Sequence, residues 1–294
     1  MRTIRAVAEL RPVIFGHRRE GRSIGLVPTM GAFHDGHLSL MHHAREQCDV
    51  VVVWLFVNPT QFNDASDLTG YPRDEARDAA LAEEVGVDIL FAPPVDEVYP
   101  AGFATTVAVG RLTETLEGAF RGRSHFDGVA TVVTKMFNMV APDVAYFGAK
   151  DAQQAVVVQQ LVRDLDLPIR IELCETVREP DGLAMSSRNV HLSPEDRVRA
   201  AALSRALDAI DAGVAAGVLD ADTLRARAAG ELRSAGVEPE YLVIVAADTL
   251  APVERVEAEV LALVAARIGT TRLIDNHRLM PARVTAGATG NGRQ

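Results

Sequence analysis

The sequence has 294 residues, 48% of them apolar and 24% charged, which suffices for a substantial core and for two domains. No run of about 18 apolar residues is free of charge, so no membrane span is expected, and the N-terminus shows no apolar signal-peptide core. Two cysteines exclude a disulfide scaffold and point to a reducing cytoplasm, while a net charge of −10 argues against a broad nucleic-acid surface and for a small anion bound at a locally positive site.

The first predicted strand, residues 24–27, ends in Pro28, and a helix is predicted over residues 38–47. Between them lies PTMGAFHDGH, residues 28–37, which places His34 and His37 on either side of the helix's first turn. Unpaired N–H groups and the positive end of the helix dipole face outward at such a terminus, and two imidazoles about one turn apart add donors for the same oxygens. Gly31 and Gly36 lack a Cβ and permit either close approach of a phosphate or a tight turn. From the residues alone the alternative is a glycine-punctuated turn with two surface histidines.

The second strand, residues 50–57, is apolar throughout and therefore central in a sheet, and it exits into Asn58-Pro59-Thr60-Gln61. A helix over 73–85, a strand over 87–92, a helix over 129–140, a strand over 144–148 and a helix over 153–165 follow. This alternation predicts a Rossmann-like parallel sheet with helices on both faces. Ligands in such sheets bind at the carboxyl ends of the strands, where Pro28, Asn58 and Gly148 fall. Lys150 and Asp151 open the last of these helices, with Gln154 about one turn on; from the residues alone the pair reads either as solvated surface or as a cation for phosphate beside a helix cap or ribose acceptor.

A smaller C-terminal α+β domain is expected beyond residue 176. It begins with the turn cluster Glu179-Pro180-Asp181-Gly182 and the helix start Ser193-Pro194. Helices are predicted over 195–212 and 221–235, and strands over 240–246, 260–268 and 271–274. The domains are thus 1–176 and 177–280, with a disordered tail over 281–294. Cys48 and Cys174 sit beside apolar runs and are expected to be packing residues.

PTMGAFHDGH resembles the HxGH signature of the nucleotidylyltransferase superfamily, and its flanks resemble the pantothenate synthetase (pantoate–β-alanine ligase) family. Four further segments agree in order and spacing: FVNPTQF at 56–62, HFDGV at 125–129, FGAKDAQQ at 147–154 and TVREPDGLAMSSRN at 176–189. The resemblance spans residues 4–276. Two departures stand out. Ala149 and Ala152 replace an acid and an aromatic residue, and Arg121-Gly122-Arg123-Ser124-His125 replaces a shorter link, so either arginine is a candidate to meet a carboxylate.

The resemblance implies ATP-dependent condensation of (R)-pantoate with β-alanine through a pantoyl adenylate, releasing AMP and pyrophosphate. It implies catalytic roles for His34, His37, Lys150, Ser186, Ser187 and Arg188. The ATP site would add Met30, Gly31, Gly148, Asp151, the Val177 backbone and Met185, while Met30, Gln61 and Gln154 would hold pantoate and β-alanine. Met185-Ser186-Ser187-Arg188 would be a KMSKS-like lid over the triphosphate, with Mg²⁺ carried by ATP and no protein metal site. A homodimer is also implied. Two alternatives stay open at this stage: a nucleotidylyltransferase with another acceptor, and a divergent paralogue that binds nucleotide with weak or no turnover.

Overall fold

The computed structural model describes residues 1–63 and 65–281, with the backbone alone of residues 65–67. Residues 282–294, the bulk of the tail expected to be disordered, lie outside the described residues. Six parallel strands form the first sheet: β1 (Arg2–Ile4), β2 (Ile24–Thr29), β3 (Val50–Leu55), β4 (Ile89–Phe91), β5 (Val144–Gly148) and β6 (Arg170–Cys174), in the spatial order β1-β4-β3-β2-β5-β6. The helices among them are α1 (Val7–Arg19), α2 (Asp35–Gln47), α3 (Ala65–Gly70), α4 (Glu75–Val85), α5 (Val95–Val98), α6 (Glu117–Arg121), α7 (Arg123–Val140) and α8 (Ala152–Asp164).

The continuous apolar run of β3 is explained by helices on both faces. Val50, Val52 and Trp54 pack into the core that includes Leu10, Phe126, Val133 and Val157 from α1, α7 and α8. Val51 and Val53 face the opposite layer, with Leu40, Met41 and Ala44 of α2 and Ala82 of α4. Each such side chain removed from water contributes about 1.5–3 kcal/mol, so both layers are needed to hold the strand centrally. Cys48 and Cys174 are buried in the second layer, and burial raises the Cys174 thiol to about 11, which fits packing rather than reactivity.

From β2 the chain runs outward through β3 to β4, then returns on the other side of β2 to lay down β5 and β6. The reversal leaves a crevice at the carboxyl ends of β2 and β5. The C-terminal part contains α9 (Pro194–Ala200), α10 (Ala202–Ala215) and α11 (Ala221–Ser234), and an antiparallel sheet of β7 (Pro239–Ala246), β8 (Val260–Ile268) and β9 (Thr271–Leu279). Along β8, Ala262, Val264 and Ala266 face the α9–α11 core, while Leu261 and Leu263 join the core of the six-stranded sheet. The small sheet is thus packed on both sides.

Several elements differ from the sequence expectation. β1, α1 and β6 were not anticipated: β1 is three residues long, α1 carries Pro12 inside it, and β6 is a half-exposed edge. The helix expected over 195–212 divides at Ala201, where ψ of −13° interrupts the ladder. The strand expected over 271–274 continues to Leu279, and α7 begins six residues before its expected start, which brings His125 into its first turn.

Candidate active site

A cavity of about 250 Å³ opens at the carboxyl ends of β2, β3, β5 and β6. Met30 follows β2, His34 and His37 start α2, and Gln61 follows β3; Gly148, Lys150, Asp151 and Gln154 lie at the β5–α8 junction, and Val177, Met185, Ser186, Ser187 and Arg188 come from the segment after β6. Every residue to which the resemblance gave a catalytic or binding role lines this cavity except Gly31. Gly31 instead adopts φ of +89°, with the built Cβ position 3.0 Å from Asp78 Oδ2. That turn aims the backbone N–H groups of Ala32 and Phe33 at the buried Asp78 carboxylate, each 2.8 Å away.

The two histidines of the HxGH segment cap their own helix. His34 is the N-cap of α2, and its Nδ1 accepts from the Gly36 N–H at 3.2 Å; the Nδ1 of His37 accepts from the His34 N–H at 3.4 Å. An imidazole nitrogen that accepts from an amide carries no proton, so in the neutral ring the proton sits on Nε2. Burial lowers both pKa values, with Lys150 adding to the effect at His34 and His34 at His37, which falls to about 3. Both rings, 4.2 Å apart, are therefore neutral Nε2–H donors near pH 7.

Across the cavity, Gln61 ends a single 3₁₀ turn, Pro59–Gln61. Its Oε1 accepts from Asn58 Nδ2 at 3.0 Å and its Nε2 donates to Met30 Sδ at 3.2 Å. Asn58, 1% exposed, also accepts from the Thr60 amide and hydroxyl and from Tyr99 Oη. Gly128 of α7 completes the mount, since its built Cβ position lies 2.5 Å from the Thr60 carbonyl oxygen, so only glycine admits this approach.

Lys150 reaches within 3.9 Å of Asp151, which stands at the N-cap of α8 without a capping bond from its side chain. The backbone beneath them is fastened from β9: Asn276 Nδ2 donates to the carbonyls of Ala149 and Lys150 at 2.9 and 2.8 Å. The neighbouring Asp275 takes both Nη groups of Arg178 at 2.7 and 2.9 Å, and Arg178 in turn donates to Gly182. Beyond it, Glu179 and Asp181 hold Arg197, and Ser186 Oγ accepts from the Arg188 amide.

A second cavity of about 110 Å³ adjoins the first, sharing Met30, Gln61, Lys150, Asp151, Gln154 and Arg188 and adding Arg121, His125 and Asn276. His125 Nδ1 donates to the Gln61 carbonyl at 2.7 Å. Gln153 takes no part in the larger cavity; it is buried and ties the Leu112, Thr115 and Glu117 backbone.

The family model for pantoate-beta-alanine ligase matches residues 2–278. The chain belongs to the pantoate–β-alanine ligase family. The pantothenate synthetase of Cereibacter sphaeroides is 53% identical over 274 residues, 93% of this chain and 98% of that protein. A pantothenate synthetase crystal structure from Thermus thermophilus superposes with a TM-score of 0.90 at 47% identity, covering 96% of this chain and all of that one. A pantoate–β-alanine ligase from Francisella tularensis, complexed with β-γ ATP and β-alanine, matches with a TM-score of 0.77 at 32% identity over 96% of this chain and 100% of its own.

Two points left open by the sequence are placed within this pantoate–β-alanine ligase framework. Of the two arginines, Arg121 lines the second cavity, whereas Arg123 is 70% exposed beside Asp127. Ala149 is engaged through its backbone, and Ala152 lines the second cavity rather than the first. Asn58 stands at the strand edge where the sequence put it and lines the cavity, whereas the supporting residues Asp78, Asp275 and Asn276 have no counterpart in the sequence reading. The one available signal was a buried polar residue at a strand end or loop; Asn276 lay just beyond the strand expected to stop at 274.

Proposed function

We propose that this chain joins (R)-pantoate to β-alanine in two steps within the larger cavity and its side chamber. First a pantoate carboxylate oxygen attacks the α-phosphorus of Mg-ATP, the P–O bond to the leaving group breaks, and pyrophosphate departs. His34 and His37 would donate from Nε2 to the phosphate oxygens, while Lys150, Arg188 and the hydroxyls of Ser186 and Ser187 would balance charge on the triphosphate. Neutral Nε2–H donors can perform this task, because they stabilise the developing negative charge by hydrogen bonding and the step requires no proton transfer to or from them. Met30 and Gly148, with Asp151, the Val177 backbone and Met185, would border the nucleotide, while Gly31 would act by shaping the turn between Met30 and His34. Gln61 and Gln154 would hold the acyl group, with Met30 against its methyl carbons. In the second step the amine of β-alanine attacks the activated carbonyl and AMP leaves.

The observation that carries this reading is the meeting of the HxGH donors, Lys150, the Ser186–Arg188 loop and the two glutamines in one cavity at the topological switch point. Mg²⁺ enters as part of the Mg-ATP substrate. Among the described residues no group of three or more His, Cys, Asp or Glu is arranged to hold a metal, so no step is assigned to a protein-held ion. The reading includes a division between Thr176 and Val177, a lid formed by residues 185–188, small-molecule partners rather than nucleic acid or membrane, and a cytoplasmic homodimer. No helix among the described residues is long and apolar enough to cross a membrane.

The test is AMP release by the purified chain given Mg-ATP, pantoate and β-alanine, with each acid omitted in turn. Release that requires both acids is expected. Release with another acceptor, or none from a folded protein that binds ATP, would overturn the assignment.

A further inference from the structure

We propose that His125 is the base of the second half-reaction, taking the amine proton of β-alanine at Nε2 while Arg121 holds the β-alanine carboxylate in the smaller cavity. This rests on the reaction proposed above. Three imidazoles border the joined cavities, and their tautomers differ. The first two, His34 and His37, spend Nδ1 as an acceptor and so carry their proton on Nε2. Neither has a free lone pair in its neutral form. His125 is wired the opposite way: the Gln61 carbonyl can only accept, so Nδ1 carries the hydrogen and Nε2 keeps its lone pair. Nε2 has no hydrogen-bond partner among the described residues, and His125 lines the smaller cavity.

The surroundings keep that lone pair available. Lining the same cavity are Glu117 and Arg121 from α6, Lys150 and Asp151 from the β5–α8 junction, Arg188 from the loop after β6, Tyr241 from β7 and Asp275 from β9; of these, Arg121, Glu117 and Asp151 act electrostatically on the ring. Burial and then Arg121 lower the imidazole below its ordinary range, so it is neutral near pH 7. Glu117 is already occupied, by both Nη groups of Arg272 at 2.7 Å, by Tyr241 Oη at 2.9 Å and by Arg121 Nε at 3.1 Å. Asp275 is taken by Arg178. Arg121, whose one side-chain hydrogen bond among the described residues runs from Nε to Glu117, offers its Nη groups to a carboxylate in fork geometry.

Gln61 joins the two chambers. Its side chain lines both, and its carbonyl orients His125, so the residue proposed to hold the acyl group also aims the base. In the step itself the amine lone pair forms the C–N bond at the acyl carbon, an N–H proton passes to Nε2, and the carbonyl–phosphate C–O bond breaks with its electron pair leaving on AMP. The imidazolium then returns its proton to water.

His125→Asn separates the base from its mount, because the Asn carboxamide can still donate to the Gln61 carbonyl but lacks the Nε2 lone pair. Two measurements on the full chain follow: pantoate-dependent ATP–pyrophosphate exchange, and single-turnover amide formation when β-alanine is added to bound adenylate between pH 6 and 9. Exchange is expected to persist while amide formation falls by about 10²–10⁴-fold, the usual contribution of a positioned base, with the deficit narrowing as pH rises. Arg121→Gln is expected to raise the KM for β-alanine about tenfold or more, equivalent to one lost charged contact. Amide formation at the parental rate in His125→Asn would overturn the base. Equal loss of both half-reactions would do so too, since it would make His125 a support for Gln61. An unchanged KM in Arg121→Gln would remove the carboxylate site. No pantoate-dependent exchange in the parent chain would overturn the proposed function, and this inference with it.

Discussion

His34 and His37 show how one hydrogen bond at one ring nitrogen decides what a residue offers at the other. Both Nδ1 atoms are committed to amides of the α2 N-terminus, and burial disfavours the second proton. For His37 the sign follows from its folded pKa of about 3 against about 6.5 when unfolded. The unfolded chain binds more protons between those values, so this contribution to stability is complete above pH 6.5 and is lost as the pH falls toward 3. Nitrogen NMR of the His37 ring is expected to show an unchanged Nε2–H tautomer from pH 8 to pH 5; a charged ring at pH 6 would refute the neutral-donor description. His37→Ala removes a weak capping contact of about 0.5–2 kcal/mol. It also removes a donor to developing charge, a class of change that costs about 10²–10³ in kcat. Turnover should therefore drop far more than the unfolding free energy, as paired kinetic and denaturation measurements would reveal.

At the level of elements, the site depends on how closely one helix is allowed to approach one turn. α7 passes the Pro59–Gln61 turn at Gly128, where the Thr60 carbonyl lies 2.5 Å from the built Cβ position. Gly128→Ala must push the turn away, at a cost of about 1–3 kcal/mol for overpacking. The displaced element carries Gln61 and the Asn58 network, so the KM for pantoate should rise while ATP binding changes little; equal weakening of both ligands would place the effect elsewhere. The elements around this contact were largely legible in the sequence. The parallel α/β alternation and the HxGH turn stand where periodicity and glycine punctuation put them, because two-sided burial leaves long apolar strands. β1, β6 and α1 left no such trace, being a three-residue strand, a half-exposed edge and a helix interrupted by Pro12. Candidate ligand-facing residues were readable as motifs, whereas Asp78, which fixes the turn before His34, is a single buried polar residue whose partners come from another segment. Local pattern carries no record of such pairings.

Across the whole molecule, the two sheets are coupled at the site by two consecutive residues of β9. Asp275 and Asn276 are both buried, and they hold different loops: Asp275 grips Arg178 ahead of the Ser186–Arg188 segment, and Asn276 grips the carbonyls on which Lys150 is mounted. The C-terminal sheet therefore sets the separation of the two groups proposed to meet the triphosphate, although no β9 residue lines the larger cavity. Asn276→Ala deletes the carboxamide and leaves the Ala149 and Lys150 carbonyls without that donor, a loss of about 1–3 kcal/mol shared between folding and binding. If Asn276 fixes the Lys150 loop, part of the loss appears in the nucleotide complex, and ATP affinity should weaken by about tenfold for each 1.4 kcal/mol so expressed. Calorimetric titration with ATP alongside thermal unfolding separates the two shares. A lower unfolding temperature with unchanged ATP affinity would confine Asn276 to holding the sheets together. The expected result is weaker ATP binding with pantoate affinity less affected, because Gln61 is mounted on Asn58 and packed at Gly128, neither of which the Asn276 carboxamide bonds.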